Sequence, residues 1–208
     1  FLEGNHEKID VIYGQDLGLA DKGAVQSNEA YTSQYIDYKV FEDEEKGFIV
    51  CSRQNMAQST GNPYIQQGSL TKTTGYSTDG FQFYGLSYKE TNKPEALFKS
   101  SLANEIYQYE FAYTALQTEM ITLNGSAHFT FYGLFKGNHP DTIEKVEFLE
   151  EVEKLRESIS FSEKECKEIN KIQLSSQLGE PIRTEPLTEE EIDFYFPNRH
   201  EEEYQEGK

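Results

Sequence analysis

Histidine is the side chain that most often acts as a base or a metal ligand near neutral pH. The chain has four histidines, at positions 6, 128, 139 and 200. None of them has a second ligating residue at helical or loop spacing, so a zinc site is not predicted. His128 lies on a predicted strand beside aromatic residues and is the one candidate general base among the histidines. A hydrogen-bonded structural histidine explains it more simply.

Carboxylates are so frequent that no pair of them is diagnostic, since the chain has 37 Asp and Glu residues. A glycosidase needs two carboxylates roughly 5 to 10 Å apart, and Glu110 and Glu119 on neighbouring predicted strands are one candidate pair. The run from Glu42 to Glu45 lacks the alternating ligands and internal glycine of a calcium loop, which favours a solvated turn. No phosphate-binding glycine loop or nucleophile elbow occurs. The sequence therefore predicts no catalytic residue, no metal and no cofactor.

The composition predicts a folded, acidic binding protein. The formal net charge is -18, and 13% of the 208 residues are aromatic, with fourteen Tyr and fourteen Phe. Aromatic side chains bury enough area to build a core, which argues against disorder. An acidic surface repels nucleic acid and anionic membranes and attracts cationic partners. We therefore expect a protein partner and no nucleic acid.

Strand patterns occupy residues 31–136, after an irregular segment over residues 1–30. Tyr35–Phe41 alternates in polarity, and an acidic turn ending in Gly47 leads into Phe48–Cys51, which predicts a hairpin. Further strands are predicted over 81–88 and 105–116. A second hairpin is predicted over 120–135, with Asn124-Gly125 as its turn.

Helical patterns dominate residues 141–197. Apolar residues recur at helical spacing from 143 to 159, and a second helix is predicted after Ser162. Thr188 and Glu191 form a capping box for a short helix that ends at Pro197. Residues 198–208 are an acidic tail. Together, the strand and helix patterns predict one α+β domain over 1–208. It has a twisted antiparallel sheet of about five to seven strands, a long helix packed on one face, and additional short C-terminal helices.

Two segments share the pattern Phe-x-Phe-Tyr-Gly-Leu, at residues 81–86 and 129–134. A duplication is one explanation. Two strands that solve the same packing problem, with a glycine at a kink or bulge, are the other, and we favour it because no wider repeat accompanies the pattern.

Location and disulfide bonding follow from weaker signals. The chain begins at Phe1 rather than Met, which fits a mature or trimmed form that has lost an N-terminal anchor or signal. No run of 18 apolar residues is present. We expect an extracellular monomer whose only membrane attachment is that absent anchor. Cys51 and Cys166 either pair in an oxidising compartment or are two buried hydrophobic residues.

The polar face of the predicted sheet and the acidic turn provide the candidate partner-binding residues, because a sheet covered by a helix on one side exposes the other to water. Tyrosine adds contact area and a hydrogen bond at such surfaces. The candidates are Asp37, Glu42, Asp43, Tyr84, Gln108, Glu110, His128, Thr130 and Tyr132.

In overall layout the chain resembles the TipC-type immunity proteins of streptococci and related Gram-positive bacteria. The strands Gln34–Phe41, Phe81–Tyr88 and Phe129–Phe135 support the resemblance best. It implies a crescent-like sheet with a helix, held on the outer face of the cytoplasmic membrane. It also implies stoichiometric binding of a cognate type VII secretion toxin, whose active site is blocked without any turnover by the immunity protein.

Our first functional hypothesis is therefore a non-enzymatic immunity protein that neutralises an exported antibacterial toxin, with its acidic surface facing basic residues of the toxin. Two alternatives remain. One is an extracellular surface lipoprotein that binds a small cationic ligand or a carbohydrate, with tyrosines stacking on sugars. The other is a hydrolase without a recognisable motif that uses Glu110 or His128.

Overall fold

The computed structural model describes residues 2–109, 111–159, 187–195 and 197. The chain divides into two compact units, residues 1–159 and 160–208. Several predictions lie outside the described residues: the candidate site residue Glu110, the helix after Ser162, Cys166, and the tail at 198–208.

The first unit contains the described strands and most of the described helices. Its strands are β1 (Leu2–Ile9), β2 (Ile12–Asp16), β3 (Ile36–Asp43), β4 (Gly47–Gln54), β5 (Tyr64–Ser69), β6 (Thr73–Asp79), β7 (Ala112–Thr118), β8 (Ile121–Ala127) and β9 (Phe131–Lys136). Its helices are α1 (Lys22–Ser33), α2 (Gly80–Tyr84), α3 (Tyr88–Thr91), a 3₁₀ helix (Glu95–Phe98) and α4 (Leu149–Ser158). In the second unit the structure describes α5 (Glu189–Tyr195).

The main sheet has seven strands in the order β2-β7-β6-β4-β5-β9, with β3 paired to β4. Its pairs are antiparallel except for β4 and β6, which meet in parallel at Gly47 and Thr73. The sheet is curled, which brings strands together that are far apart in this order. Gln67 of β5 donates a hydrogen bond to Gln15 of β2 at 3.0 Å and accepts one from Thr114 of β7 at 2.6 Å. A separate two-stranded sheet pairs β1 with β8. The chain is thus a mixed α/β protein with a curled sheet.

The central strands are buried on both faces, which differs from the predicted sheet with one wet face. Every residue of β5 and β7 is buried. One apolar cluster lies inside the curl, around Val50, Ile65 and Leu116. A second lies under α2 and the 3₁₀ helix, and a third lies under the segment before α4. Polar side chains such as Gln67 and Thr114 therefore bond to other side chains within the protein.

The predicted β3–β4 hairpin is confirmed. The two strands pair from Ile36 opposite Gln54 to Asp43 opposite Gly47. Gly47 has a φ of 74°, and a Cβ at this position would overlap the backbone of Thr73. Only glycine satisfies both the left-handed backbone and the close approach of β6.

The prediction of a second hairpin over 120–135 is wrong. Asn124 and Gly125 lie inside β8, opposite Asn5 and Gly4 of β1, while β9 pairs with β5. A partner strand from the other end of the chain overrides the local turn preference of Asn-Gly. The first thirty residues, expected to be irregular, instead form β1, β2 and most of α1.

Two other predicted strands also differ from the structure. Residues 81–88 form helix α2, a turn and the start of α3, and the strand expected over 105–116 begins only at Ala112. The helix expected from the apolar spacing at 143–159 begins later than predicted. Phe148 has a left-handed φ of 58°, so α4 starts only at Leu149. The capping box of α5 is confirmed: the Glu191 carboxylate accepts hydrogen bonds from the Thr188 backbone N–H and hydroxyl, each at 2.9 Å.

Candidate functional site

Helix α2 begins where β6 ends, and a buried carboxylate determines the change. Asp79 is the N-cap of α2, and its Oδ1 accepts a hydrogen bond from the Phe81 backbone N–H at 2.7 Å. Gly80 follows, and a Cβ there would overlap the ring of Phe111. The absence of a side chain at Gly80 lets Phe111, just before β7, pack directly against the first turn of α2.

Gly85 ends the helix and reverses the chain. Its φ of 76° and ψ of 166° define a backbone region that is essentially restricted to glycine. The chain then continues into α3 and, through Pro94, into the 3₁₀ helix, whose Glu95 packs against Gly85. This short path folds three small helical pieces over one end of β6 and β7.

The result is a cluster of aromatic rings around Tyr84. Its ring stacks on Phe111, with centroids 5.6 Å apart and planes 4° apart. Tyr88 lies 4.7 Å from Tyr84, and Phe81 meets Phe111 edge-on at 6.1 Å. Behind them, Tyr113 contacts Tyr84 at 5.1 Å. The inner rings hold the outer ones in place, since offset and edge-on pairs are favourable arrangements.

The outer rings line a groove of about 400 Å³, which we call the aromatic groove. Phe81 is 42% exposed although it lies in a rigid cluster. The lining residues are Glu29, Ala30, Gly80, Phe81, Tyr84, Gly85, Leu86, Tyr88, Lys89 and Phe111. The second part of α1 contributes one wall, after a break in helical geometry at Asn28. Apolar rings with a few polar groups at the rim are typical of a small-molecule site.

The described residues that line the aromatic groove have almost no net charge. Burial, followed by its neighbour Tyr84, raises the pKa of the Tyr113 phenol, so that group stays uncharged at physiological pH. Glu29 and Lys89 are exposed and place one charge of each sign at the rim. Beneath the groove, burial raises the pKa of Asp79, and its Oδ2 has no hydrogen-bond partner among the described residues. The groove therefore suits a neutral ligand with flat apolar faces.

Metal binding and membrane spanning have no support in the described part of the chain. There, no group of three or more His, Cys, Asp or Glu side chains is arranged to hold a metal ion. No described helix is both long and apolar enough to cross a bilayer.

Of the predicted partner-binding residues that the structure describes, only Tyr84 lies in the aromatic groove. Tyr132 is 5% exposed, and burial raises the pKa of its phenol to about 12, so it does not belong to a surface. Its ring lies over Gly68 of the neighbouring strand β5, on the covered side of β9. Thr130 is half-buried, and its carbonyl accepts hydrogen bonds from Leu70 and Ser69 at 2.9 and 3.0 Å.

The acidic candidates have local structural partners. Asp37 pairs with the buried Arg53 at 3.6 Å. Asp43 accepts backbone hydrogen bonds from Lys46 and Glu45, which lower its pKa. Glu42 is exposed at the end of β3.

The two remaining candidates are exposed and lie in loops. The Gln108 side chain donates to the Gln34 carbonyl at 2.8 Å, and His128 lies between β8 and β9. As a partner-binding set, the candidates stay a prediction.

Most of the aromatic groove was missed because residues 81–88 were expected to be a strand. The available signal was Asp79-Gly80 before the aromatic run, since Asp is a preferred N-cap. Glu29 and Phe111, in contrast, lie far from α2 in the sequence, and no local pattern places them beside it.

Comparison with known proteins identifies relatives of the whole chain. The SOGP N-terminal domain family matches residues 1–133. A 1,2-beta-oligoglucan phosphorylase from Listeria innocua serovar 6a is 42% identical over 206 residues, which is 99% of this chain. The chain spans only 18% of the length of that relative.

These findings correct the first functional hypothesis. The immunity function, its type VII toxin vocabulary and the expectation of a non-enzymatic protein are contradicted, because a relative that matches nearly the whole chain is named a phosphorylase, which is an enzyme. The alternative of a carbohydrate-binding protein agrees better with that name. Neither comparison bears on the TipC-type resemblance, which depended on layout without a diagnostic motif.

Proposed function

Since the chain belongs to the SOGP N-terminal domain family, we propose that it serves an enzyme that phosphorolyses 1,2-β-linked gluco-oligosaccharides and that its aromatic groove binds the oligosaccharide. Phosphorolysis cleaves a glycosidic bond with inorganic phosphate and releases a sugar phosphate. The relative's name supports this class of substrate. The chain's own contribution to that activity is the binding of the oligosaccharide in the aromatic groove.

The observation that supports the proposal most directly is the rigid cluster of partly exposed rings around Tyr84. In β-linked glucopyranose the ring hydroxyls are equatorial, so each ring face presents C–H groups while the hydroxyls point outward. Such a ring stacks on an aromatic face and keeps its hydroxyls for polar groups at the edge. The aromatic groove offers that combination: apolar floor, phenol hydroxyls, and the rim groups of Glu29 and Lys89.

The geometry favours neutral sugar over other ligands. A phosphorylated or otherwise anionic ligand needs several positive charges, and Lys89 is the one cation among the described lining residues. A glycosidase site needs two carboxylates, and among the same described residues Glu29 is the one carboxylate. The groove is therefore proposed to hold substrate, and bond cleavage is not assigned to it.

Several sequence predictions accompany the proposal without a test of their own. These are the extracellular location, the monomeric state, and the absence of nucleic-acid partners. A long helix packed on one face of the sheet also remains a proposal. The longest described helices, α1 and α4, have 12 and 10 residues.

Calorimetric titration of the 208-residue chain with 1,2-β-linked gluco-oligosaccharides tests the proposal. Phe81→Ala removes an exposed ring and Tyr88→Ala a half-buried one, and each is expected to weaken binding about tenfold, equivalent to about 1.4 kcal/mol. Phe98→Ala is the matched control, because Phe98 is 72% exposed and does not line the groove.

Two results would overturn the proposal. One is unchanged affinity in both groove variants. The other is the absence of any heat of binding with 1,2-linked oligosaccharides when 1,4-linked oligosaccharides of equal length do bind.

A further inference from the structure

Strands β2 and β9 lie at the two ends of the strand order β2-β7-β6-β4-β5-β9 and face one another without pairing in the described structure. Between them lies a second groove of about 500 Å³, which we call the seam groove. We propose that the seam groove binds a glucosyl unit as a second sugar site of the same chain. This inference rests on the proposed function for its ligand class, while its residues are distinct from those of the aromatic groove.

The strand register makes the space. Ile65 pairs with Phe135 and Gln67 pairs with Gly133, so these four residues lie on the inner face of β5 and β9. Gly133 has no side chain to fill the gap in front of Phe135. A Cβ at Gly133 would lie 3.3 Å from Cδ1 of Ile65 and would begin to close the groove.

Aromatic side chains bound the seam groove at both ends. At one end Tyr13 of β2 stacks on Phe131 of β9, with ring centroids 5.4 Å and planes 19° apart. At the other end the side chain of Phe135 is 60% exposed. The stack fixes the Tyr13 ring against β9, and the exposed Phe135 ring is available to contact a ligand in the seam groove.

Gln15 supplies the polar group. Its Oε1 accepts hydrogen bonds from the Tyr13 hydroxyl at 2.7 Å and from Gln67 Nε2 at 3.0 Å. Both bonds use the oxygen, so the carboxamide nitrogen keeps two N–H donors that have no partner among the described residues. Since Gln67 is in turn held by Thr114 at 2.6 Å, the orientation of the Gln15 amide is determined from behind.

The lining defines the ligand class. It consists of Tyr13, Gln15, Asp16, Leu17, Gly18, Leu19, Ile65, Gly133 and Phe135. None of these described residues is Lys, Arg or His, so the seam groove does not suit phosphate or another anion. Exposed rings together with two oriented N–H donors suit a neutral ring whose edge bears hydroxyl oxygens. A glucosyl unit has that edge and matching apolar faces.

Residue-resolved amide NMR of the 208-residue chain, titrated with a 1,2-β-linked gluco-oligosaccharide, tests the inference. We expect the amides of Gln15, Gly133 and Phe135 to shift with saturation. Gly133→Val fills the seam groove and should abolish those shifts, while the amide of Phe81 in the aromatic groove still responds. Gly137→Val is the control, because a Cβ at Gly137 meets nothing within 4 Å.

A second variant separates chemistry from volume. Gln15→Glu keeps an oxygen to accept from Tyr13 and Gln67 but removes the free N–H donors, and we expect the seam affinity to fall about tenfold. If the seam amides do not shift while Phe81 does, the inference is overturned and the proposed function stands. If only the seam amides shift, the inference stands and the aromatic groove fails. No shifts at either groove would overturn both.

Discussion

The same six-residue pattern, Phe-x-Phe-Tyr-Gly-Leu, has two different structures in this molecule. At residues 81–86 it forms helix α2 and the glycine turn that ends it. At residues 129–134 it leads into strand β9, which pairs with β5 over six consecutive positions. The two copies also border different grooves. A local pattern of this length therefore does not determine its own secondary structure in this protein.

The flanking residues account for the difference. Before the first copy, Asp79 caps a helix and Gly80 admits Phe111. The equivalent positions before the second copy are Ala127 and His128, which provide no cap of this kind. β5 then supplies the second copy with a partner strand, and pairing along a buried neighbour favours the extended conformation.

Burial follows from that choice. In the helix, Phe83 points into the core at 6% exposed while Phe81, two residues earlier, is 42% exposed. In the strand, Tyr132 is 5% exposed on one face and Phe131 is half-buried on the other. The comparison teaches that the aromatic residues of one pattern are divided between core and groove by the backbone period, which is about 3.6 in a helix and 2 in a strand.

The largest expected effect compares the central phenylalanines of the two copies. Phe83→Ala should destabilise the fold by about 3 to 5 kcal/mol, because it empties a buried aromatic position. Phe131→Ala should cost clearly less, because Phe131 is only half-buried against Tyr13. Urea unfolding measures both losses, provided that the slope of the unfolding free energy against urea concentration is the same in the variants and the wild type. Equal losses would show that the two copies contribute alike to the core.

The two glycines of the pattern should differ next. Gly85→Ala places a side chain at a φ of 76° and against Glu95, so we expect a loss of about 1 to 3 kcal/mol. Gly133→Ala lies in an ordinary strand and meets only the flexible end of Ile65, so its effect should stay within about 0.5 kcal/mol. Thermal and urea unfolding of the pair provide the measurement. A stability loss at Gly133 as large as that at Gly85 would contradict the assignment of strand and turn.

The smallest effect concerns the cap that precedes only the helical copy. Burial raises the pKa of Asp79 above its usual 3.8, so the folded state binds the proton more tightly than the unfolded state does. The resulting stability is fully present below the unfolded pKa and is lost as pH rises through the folded pKa. Asp79→Asn keeps a capping oxygen without a charge. Relative to the wild type, it should therefore be more stable at neutral pH than at about pH 3.

Unfolding measured across that pH range checks the cap prediction, with Asp43→Asn as the control. The pKa of Asp43 is lowered by backbone hydrogen bonds, so its contribution has the opposite pH dependence: it is present above the unfolded pKa and lost as pH falls. A difference between wild type and Asp79→Asn that does not change with pH would show that the Asp79 carboxylate is not desolvated.

Some elements of the fold were predictable because their causes are local. The β3–β4 hairpin follows from alternation and Gly47, and helix α5 follows from the Thr188–Glu191 capping box. The sequence Asn124-Gly125 was predicted to be a turn, but it lies inside strand β8. This was not predictable, because the partner strand β1 lies at the other end of the chain. Tyr84 was predicted to bind a partner as an outward residue of a strand, whereas the structure places it in helix α2, where it lines the aromatic groove.

The sequence by itself determined that the chain folds around aromatic residues, where its strongest hairpin lies, and how its last described helix is capped. These outcomes depend on contacts between residues close together in the chain. Only the tertiary structure decided which Phe-x-Phe-Tyr-Gly-Leu copy is a helix, and that two grooves form. The aromatic groove joins α1, α2 and Phe111, and the seam groove joins β2, β5 and β9. Such sites depend on strand register and on packing between distant segments, which no short stretch of sequence specifies.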